Sequence, residues 1–231
     1  MFKLLLLMFS LFSLTASSQD DALRTDWANL KRYATENSQL PLPGPQEQRV
    51  VFMGNSITEG WSKMNSAFFA GKPYINRGIS GQTTPQMLVR FRQDVIDLKP
   101  AVVVILAGIN DIAENTGPTT LKAIFDNIVS MTELAKANNI RVVLCSVLPA
   151  YSFKWRPHLQ PAEKIAALNT MIKAYCQQQN IKYVDYYSAM VDERKGLDKK
   201  YTNDEVHPTL AGYRVMEPLA EAAIAEALKK K

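Results

Sequence analysis

Residues 101–111 read Ala101-Val-Val-Val-Ile-Leu-Ala-Gly-Ile-Asn-Asp111. Seven apolar residues run without polar alternation and then break at Gly108 into Ile109, Asn110 and Asp111. A strand with one face in water alternates apolar and polar side chains, whereas a strand covered on both faces does not. The run is therefore read as a buried strand of a parallel sheet. Its polar tail falls at the carboxyl end of that strand, where open α/β sheets place their ligands.

Working outward, the same rhythm recurs. Short apolar runs at 49–53, 73–76, 141–148 and 181–185 are read as strands. Between them lie stretches of helical spacing. Residues 82–98 carry Met87, Leu88, Phe91, Val95 and Leu98 on one face; residues 119–138 carry Leu121, Ile124, Ile128, Met131 and Leu134. Residues 161–180 and 208–231 complete the set, with Pro208 at a tolerated first-turn position. Five strands alternating with helices predict an α/β fold, a three-layer α/β/α sandwich around a five-stranded parallel sheet.

The ends are of a different kind. Residues 1–18, MFKLLLLMFSLFSLTASS, pair an early Lys3 with an apolar run and small residues at Ala16, Ser17 and Ser18. This is the pattern of a signal peptide cut near Ser18, and it predicts export to a periplasm or outside the cell. The apolar run is too short to span a bilayer comfortably, so no stable membrane insertion is expected. Residues 19–48 are read as an N-terminal helix, with Leu23, Trp27, Leu30 and Tyr33 on its spacing, and a Pro-rich linker, LPLPGP, at 40–45. The main domain is expected over 49–231.

Composition narrows the function. The 231 residues are 47% hydrophobic and 21% charged, which excludes a disordered chain. The net charge of +5 includes the Lys229-Lys230-Lys231 tail and is not gathered into a stripe, so no nucleic-acid partner is expected. Two histidines in the chain, and cysteines without CxxC or Cys/His spacing, argue against a metal site. Cys145 and Cys176 could pair in an oxidising compartment; their apolar settings favour buried free thiols.

The residues that follow the strands carry chemistry. Gly54-Asn55-Ser56-Ile57-Thr58 offers a serine hydroxyl at a strand end, although Ser56 could equally cap a helix. The pattern is neither the GxSxG elbow nor a P-loop, and no GxGxxG fingerprint occurs. Asn76-Arg77-Gly78-Ile79-Ser80-Gly81 permits close backbone approach. Asn110 offers a side-chain amide. Asp204-Glu205-Val206-His207-Pro208 spaces a carboxylate and an imidazole three residues apart, within reach of each other. His158 has no carboxylate within four residues and is assigned to a rim.

These four blocks, in this order, resemble the SGNH hydrolases, also called GDSL-type esterases and lipases, in the subgroup similar to platelet-activating-factor acetylhydrolases. The resemblance covers most of the chain from Arg49 onward; Asn55 stands where the family's name has Asp, a variation common in that subgroup. It implies a flavodoxin-like α/β/α sandwich and ester hydrolysis through an acyl-enzyme without a cofactor or metal. By resemblance, Ser56 is the nucleophile, His207 the base and Asp204 its partner. Ser56, Gly78 and Asn110 supply the oxyanion hole. Trp61, Tyr151 and Trp155 are expected on the substrate rim. The expected partner is an acylated small molecule or oligosaccharide, with acetyl or other short acyl groups on a carbohydrate as the expected ester. Lysophospholipase, thioesterase and broad arylesterase activities stand as alternatives, as does a non-catalytic glycan-binding role on the same fold.

Overall fold

The computed structural model describes residues 26–229, so the signal-like segment and the start of the N-terminal stretch lie outside the described residues. In chain order the elements are α1 (Ala34–Gln39), β1 (Val50–Gly54), α2 (Ser56–Met64), α3 (Ser66–Phe69), β2 (Tyr74–Gly78), α4 (Thr84–Asp94), β3 (Val102–Leu106), α5 (Ile109–Ile112), α6 (Leu121–Ala137), β4 (Arg141–Cys145), α7 (Pro161–Gln179), β5 (Lys182–Val184), α8 (Tyr186–Met190) and α9 (Leu210–Lys229). The five strands form one parallel sheet in the order β2-β1-β3-β4-β5. Helices α2 and α9 cover one face; α4, α6 and α7 cover the other. The fold is the expected three-layer α/β/α sandwich. Strand order reverses between β1 and β3, so the crevice at their carboxyl ends is the switch point of the sheet.

The all-apolar run explains β3: Val102 to Leu106 are buried throughout, as are all five residues of β1. Between the sheet and α2/α9 lies an aromatic cluster of Phe52, Trp61, Phe68, Phe69, Tyr74 and Tyr213. Within it Trp61 stacks on Phe68 at 4.9 Å and on Tyr213 at 5.5 Å. Cys145 and Cys176 are both buried and unpaired. Burial pushes each thiol up to about 12, which keeps it protonated and inert.

Two helix expectations change. The stretch read as one helix over 82–98 is α4 followed by a separate 3₁₀ turn at Ile96–Leu98, because Val95 leaves helical geometry and Lys99 closes the turn with a left-handed φ of 50°. The N-terminal helix is present among the described residues only as a 3₁₀ turn, Leu30–Arg32, and as α1. Asn29 adopts a φ of 54°, and the Asp26 carboxylate accepts the N–H groups of Leu30 and Lys31. Trp27 and Ala28 therefore stay non-helical, and their carbonyls accept hydrogen bonds from Gln86 and Gln82. This segment is stapled to the body rather than standing apart from it.

A buried polar knot joins it to the switch point. Arg90 donates to Gln82 Oε1 at 2.6 Å, to Asp94 Oδ2 at 2.9 Å and to the Gly54 carbonyl at 3.0 Å. Asn37 from α1 donates to Asp94 and accepts from Arg77. A buried charge persists when it is paired and its remaining polar atoms are satisfied, and this network meets both conditions.

Candidate active site

Helix α2 begins directly after β1. Asn55 is its N-cap, its side-chain oxygen accepting the Ile57 N–H at 3.0 Å. That leaves Ser56 in the first turn with its hydroxyl uncommitted to capping, which removes the capping-box reading of Ser56. Its Oγ lies 2.9 Å from His207 Nε2.

His207 is held by the loop before α9. Asp204 Oδ1 accepts the N–H groups of Val206 and His207, at 3.0 and 2.7 Å, and Oδ2 meets His207 Nδ1 at 2.7 Å. Thr202 Oγ1 accepts the N–H groups of Asp204 and Glu205. The loop is tight enough to force Glu205 to a φ of 73°. Glu205 in turn accepts from Ser152 Oγ, tying the loop after β4 to the histidine. Partial burial raises the Asp204 pKa, but the hydrogen bonds from the His207 backbone, the His207 ring and Val206 outweigh it and draw the value down to about 2. Asp204 is thus ionised at neutral pH and fixes the ring with Nδ1 toward the carboxylate and Nε2 toward Ser56.

Asn110 is buried in the short helix α5 beyond β3. Its Nδ2 donates to the Gln82 carbonyl at 3.0 Å, and an amide nitrogen carries a second N–H. Its neighbour Asp111 accepts the Thr84 N–H and hydroxyl at the start of α4. Burial raises Asp111 to about 6 despite these hydrogen bonds.

Gly78 requires a correction. Ile79 N–H crosses to the Gly54 carbonyl, so the Gly78 N–H turns to the opposite, outer side of β2. There it donates to Asn76 Oδ1 at 2.9 Å, while the Gly78 carbonyl accepts from the Tyr33 hydroxyl. A Cβ at Gly78 would lie 2.1 Å from the Glu59 backbone N, so this glycine admits α2 against β2 rather than a ligand. The next glycine in this stretch, Gly81, has a φ of 79°, and its carbonyl accepts from Asn115 Nδ2 in the loop after α5. Glu59 of α2 pins this turn through the Ser80 N–H and hydroxyl.

The rim also differs. Trp61 is 1% exposed and lies in the aromatic cluster, its Nε1 donating to Glu217. Five residues beyond Ser56, it points about 140° away around the helix. Tyr151 and Trp155 are exposed. Arg194 lies over the Tyr151 ring, and Trp155 stacks on Phe153. A cavity of about 590 Å³ at the outer edge of β2 contains none of Ser56, Asn110 or His207. Its charged side chains, Arg32, Glu36, Glu59, Lys63 and Arg77, pair with one another. Among the described residues no cluster of His, Cys, Asp or Glu is placed to hold a metal ion.

A serine hydroxyl, an imidazole and a carboxylate in hydrogen-bonded series at the switch point of a parallel sheet define the architecture of a serine hydrolase. The family model for the GDSL-like lipase/acylhydrolase family matches residues 52–215. The chain belongs to that family, a family of hydrolases acting on esters. A Bacteroides fragilis protein classed as an acylhydrolase superposes with a TM-score of 0.87 and is 57% identical, over 88% of this chain and 99% of that one. Esterase TesA of Pseudomonas aeruginosa is 28% identical over 69% of this chain and 75% of its own length. The match to the Bacillus subtilis lipoprotein YqeF is 35% identical but spans only 37% of this chain and 36% of that protein. The acetylxylan esterase Axe2 of Geobacillus stearothermophilus shares the fold, with a TM-score of 0.62 at 19% identity, over 83% of this chain and all of that one.

Proposed function

We propose that the protein is a serine esterase that removes acetyl or other short acyl groups from carbohydrates through an acyl-enzyme. The observation that carries the reading is the unbroken series Ser56 Oγ, His207 Nε2, His207 Nδ1, Asp204 Oδ2, at 2.9 and 2.7 Å. His207 Nε2 takes the Ser56 proton as Oγ bonds to the ester carbonyl carbon. The oxyanion that forms is met by the Ser56 N–H at the positive end of α2, by the second N–H of Asn110, and by the Gly81 N–H in place of that of Gly78. The tetrahedral species breaks its bond to the leaving oxygen, which receives the proton from His207. Water then repeats the sequence on the acyl-Ser56 ester, releasing the acid. Asp204 stabilises the imidazolium that forms in each half.

The carbohydrate part of the reading is supported by the exposed aromatic side chains of Tyr151 and Trp155 on the loop after β4. We further propose export, supported by the signal-like residues 1–18 and by the likeness to a lipoprotein. Among the described residues no helix is long and apolar enough to cross a membrane. Replacing Ser56 by Ala is expected to abolish release of acetate from acetylated xylan and of p-nitrophenol from its acetate, with the thermal unfolding curve unchanged. A folded Ser56→Ala protein with near-parental rates would overturn the reading.

A further inference from the structure

Beside the oxyanion turn lies an open groove of about 460 Å³. Its walls include Trp27 and Asn29 from the N-terminal segment, Ser80 and Gly81 from the turn, and Asn115 and Thr116 from the loop after α5. We propose that this groove is the binding subsite for a neutral saccharide ring, stacked on the Trp27 indole, in the ester substrate attacked by Ser56. The inference rests on the esterase reading above and adds to it the place and chemistry of the non-acyl part.

Three observations carry it. The first is connection: Asn115 Nδ2 donates to the Gly81 carbonyl, and Asn110 Nδ2 donates to the carbonyl of Gln82, the next residue. The groove therefore shares Gly81 and Gln82 with the turn that the esterase reading places beside the reacting carbonyl, while Ser56, Asn110 and His207 lie outside its lining. The second is that Trp27 is 42% exposed although its main chain is fixed. The Trp27 carbonyl accepts from Gln86 Nε2 at 2.8 Å and the Ala28 carbonyl from Gln82 Nε2 at 2.7 Å. An indole displayed to solvent on an anchored backbone leaves only its two side-chain torsions to be ordered on binding.

The third is the character of the walls. No acidic or basic side chain lines the groove among the described residues, so nothing there would compensate a phosphate or carboxylate. Apart from Trp27 the apolar contribution is Ile79, itself buried, which is too little for a fatty-acyl chain. What remains is one flat aromatic face with amide and hydroxyl groups around it. A pyranose ring presents the complement, an apolar C–H face and a rim of hydroxyls that both donate and accept.

The test compares the full chain with its Trp27→Ala and Trp27→Phe variants on two esters, an acetylated xylo-oligosaccharide and p-nitrophenyl acetate. Trp27→Ala is expected to lower kcat/KM for the saccharide ester about tenfold, mainly through KM, and to leave p-nitrophenyl acetate within about twofold. Trp27→Phe should recover part of the loss. In the Ser56→Ala background, calorimetric titration with xylotetraose should give binding that Trp27→Ala removes. Equal losses on both esters, or no loss on the saccharide ester, would overturn the proposal. So would a parent enzyme that turns over p-nitrophenyl acetate but no acetylated saccharide, a result that leaves the esterase reading standing. Persistence of p-nitrophenyl acetate turnover in Ser56→Ala would instead sink the esterase reading itself.

Discussion

Arg90 offers the sharpest test of how this fold supports its site. The guanidinium and the Asp94 carboxylate are both fully buried, with side-chain exposures of 0%. Replacing Arg90 by Met keeps most of the stem volume and deletes the charge. Asp94 would then retain only Asn37 Nδ2 at 2.7 Å and Gln93 Nε2 at 3.3 Å, and Gln82 Oε1 would lose its 2.6 Å donor. Breaking a buried pair from one side costs about 3–5 kcal/mol, a large share of the 5–15 kcal/mol that roughly bounds a domain's stability. For a chain of this length that corresponds to a fall in Tm of roughly 6–20 °C. Urea unfolding followed by circular dichroism measures the loss. The double variant Arg90→Met/Asp94→Leu should recover most of it, because neither charge is then stranded. Activity should fall further than the folded fraction explains, since Gln82 also carries the carbonyl that holds Asn110. A single variant that loses less than about 1 kcal/mol, or a double variant no more stable than the single, would refute this reasoning.

Three other outcomes follow from the geometry. Asp204→Asn should lower kcat by roughly ten-thousand-fold in steady-state assays with the fold intact, the size such a change takes in Ser-His-Asp hydrolases. Gly78→Ala should be costly in unfolding experiments, because its Cβ meets the Glu59 backbone at 2.1 Å, whereas Gly81→Ala has open space and pays only about 1–2 kcal/mol for its positive φ; the second variant should lose kcat more than it loses stability. Asp111 titrates at about 6 in the fold against an ordinary value near 4, so the native state holds its proton more tightly and stability should fall as pH rises from about 4 through 6. Asp111→Asn should flatten that part of a stability-versus-pH curve, while an unchanged slope would assign it to other groups.

The layered fold was legible because burial on both faces leaves a continuous apolar run, as in β3, and because chemistry-bearing residues gather after such runs. Ser56 and Asn110 were found on that ground and the Asp204–His207 pair by its three-residue spacing before the last helix, and the structure brings Ser56, His207 and Asp204 into contact. Choosing between Gly78 and Gly81 needs the pairing register of β1 with β2, which decides whether an N–H faces the neighbour strand or the outer edge. Nothing local in Asn76-Arg77-Gly78-Ile79-Ser80-Gly81 encodes that register. Trp61 was misplaced by nearness in sequence; the helical period from Ser56 was the available signal. Trp27 fell on an apparent helical stripe with Leu30 and Tyr33, and the left-handed Asn29 between them broke the period and turned the indole outward.

In the proposed reaction the Ser56 oxygen is the attacking atom. Incubation of the protein with a serine-reactive fluorophosphonate, followed by peptide mass spectrometry, tests it most directly. A stoichiometric adduct is expected on Ser56, appearing in step with loss of esterase activity and strongly slowed in His207→Ala. Full inactivation with the adduct on another residue, or sustained activity with Ser56 fully modified, would contradict it.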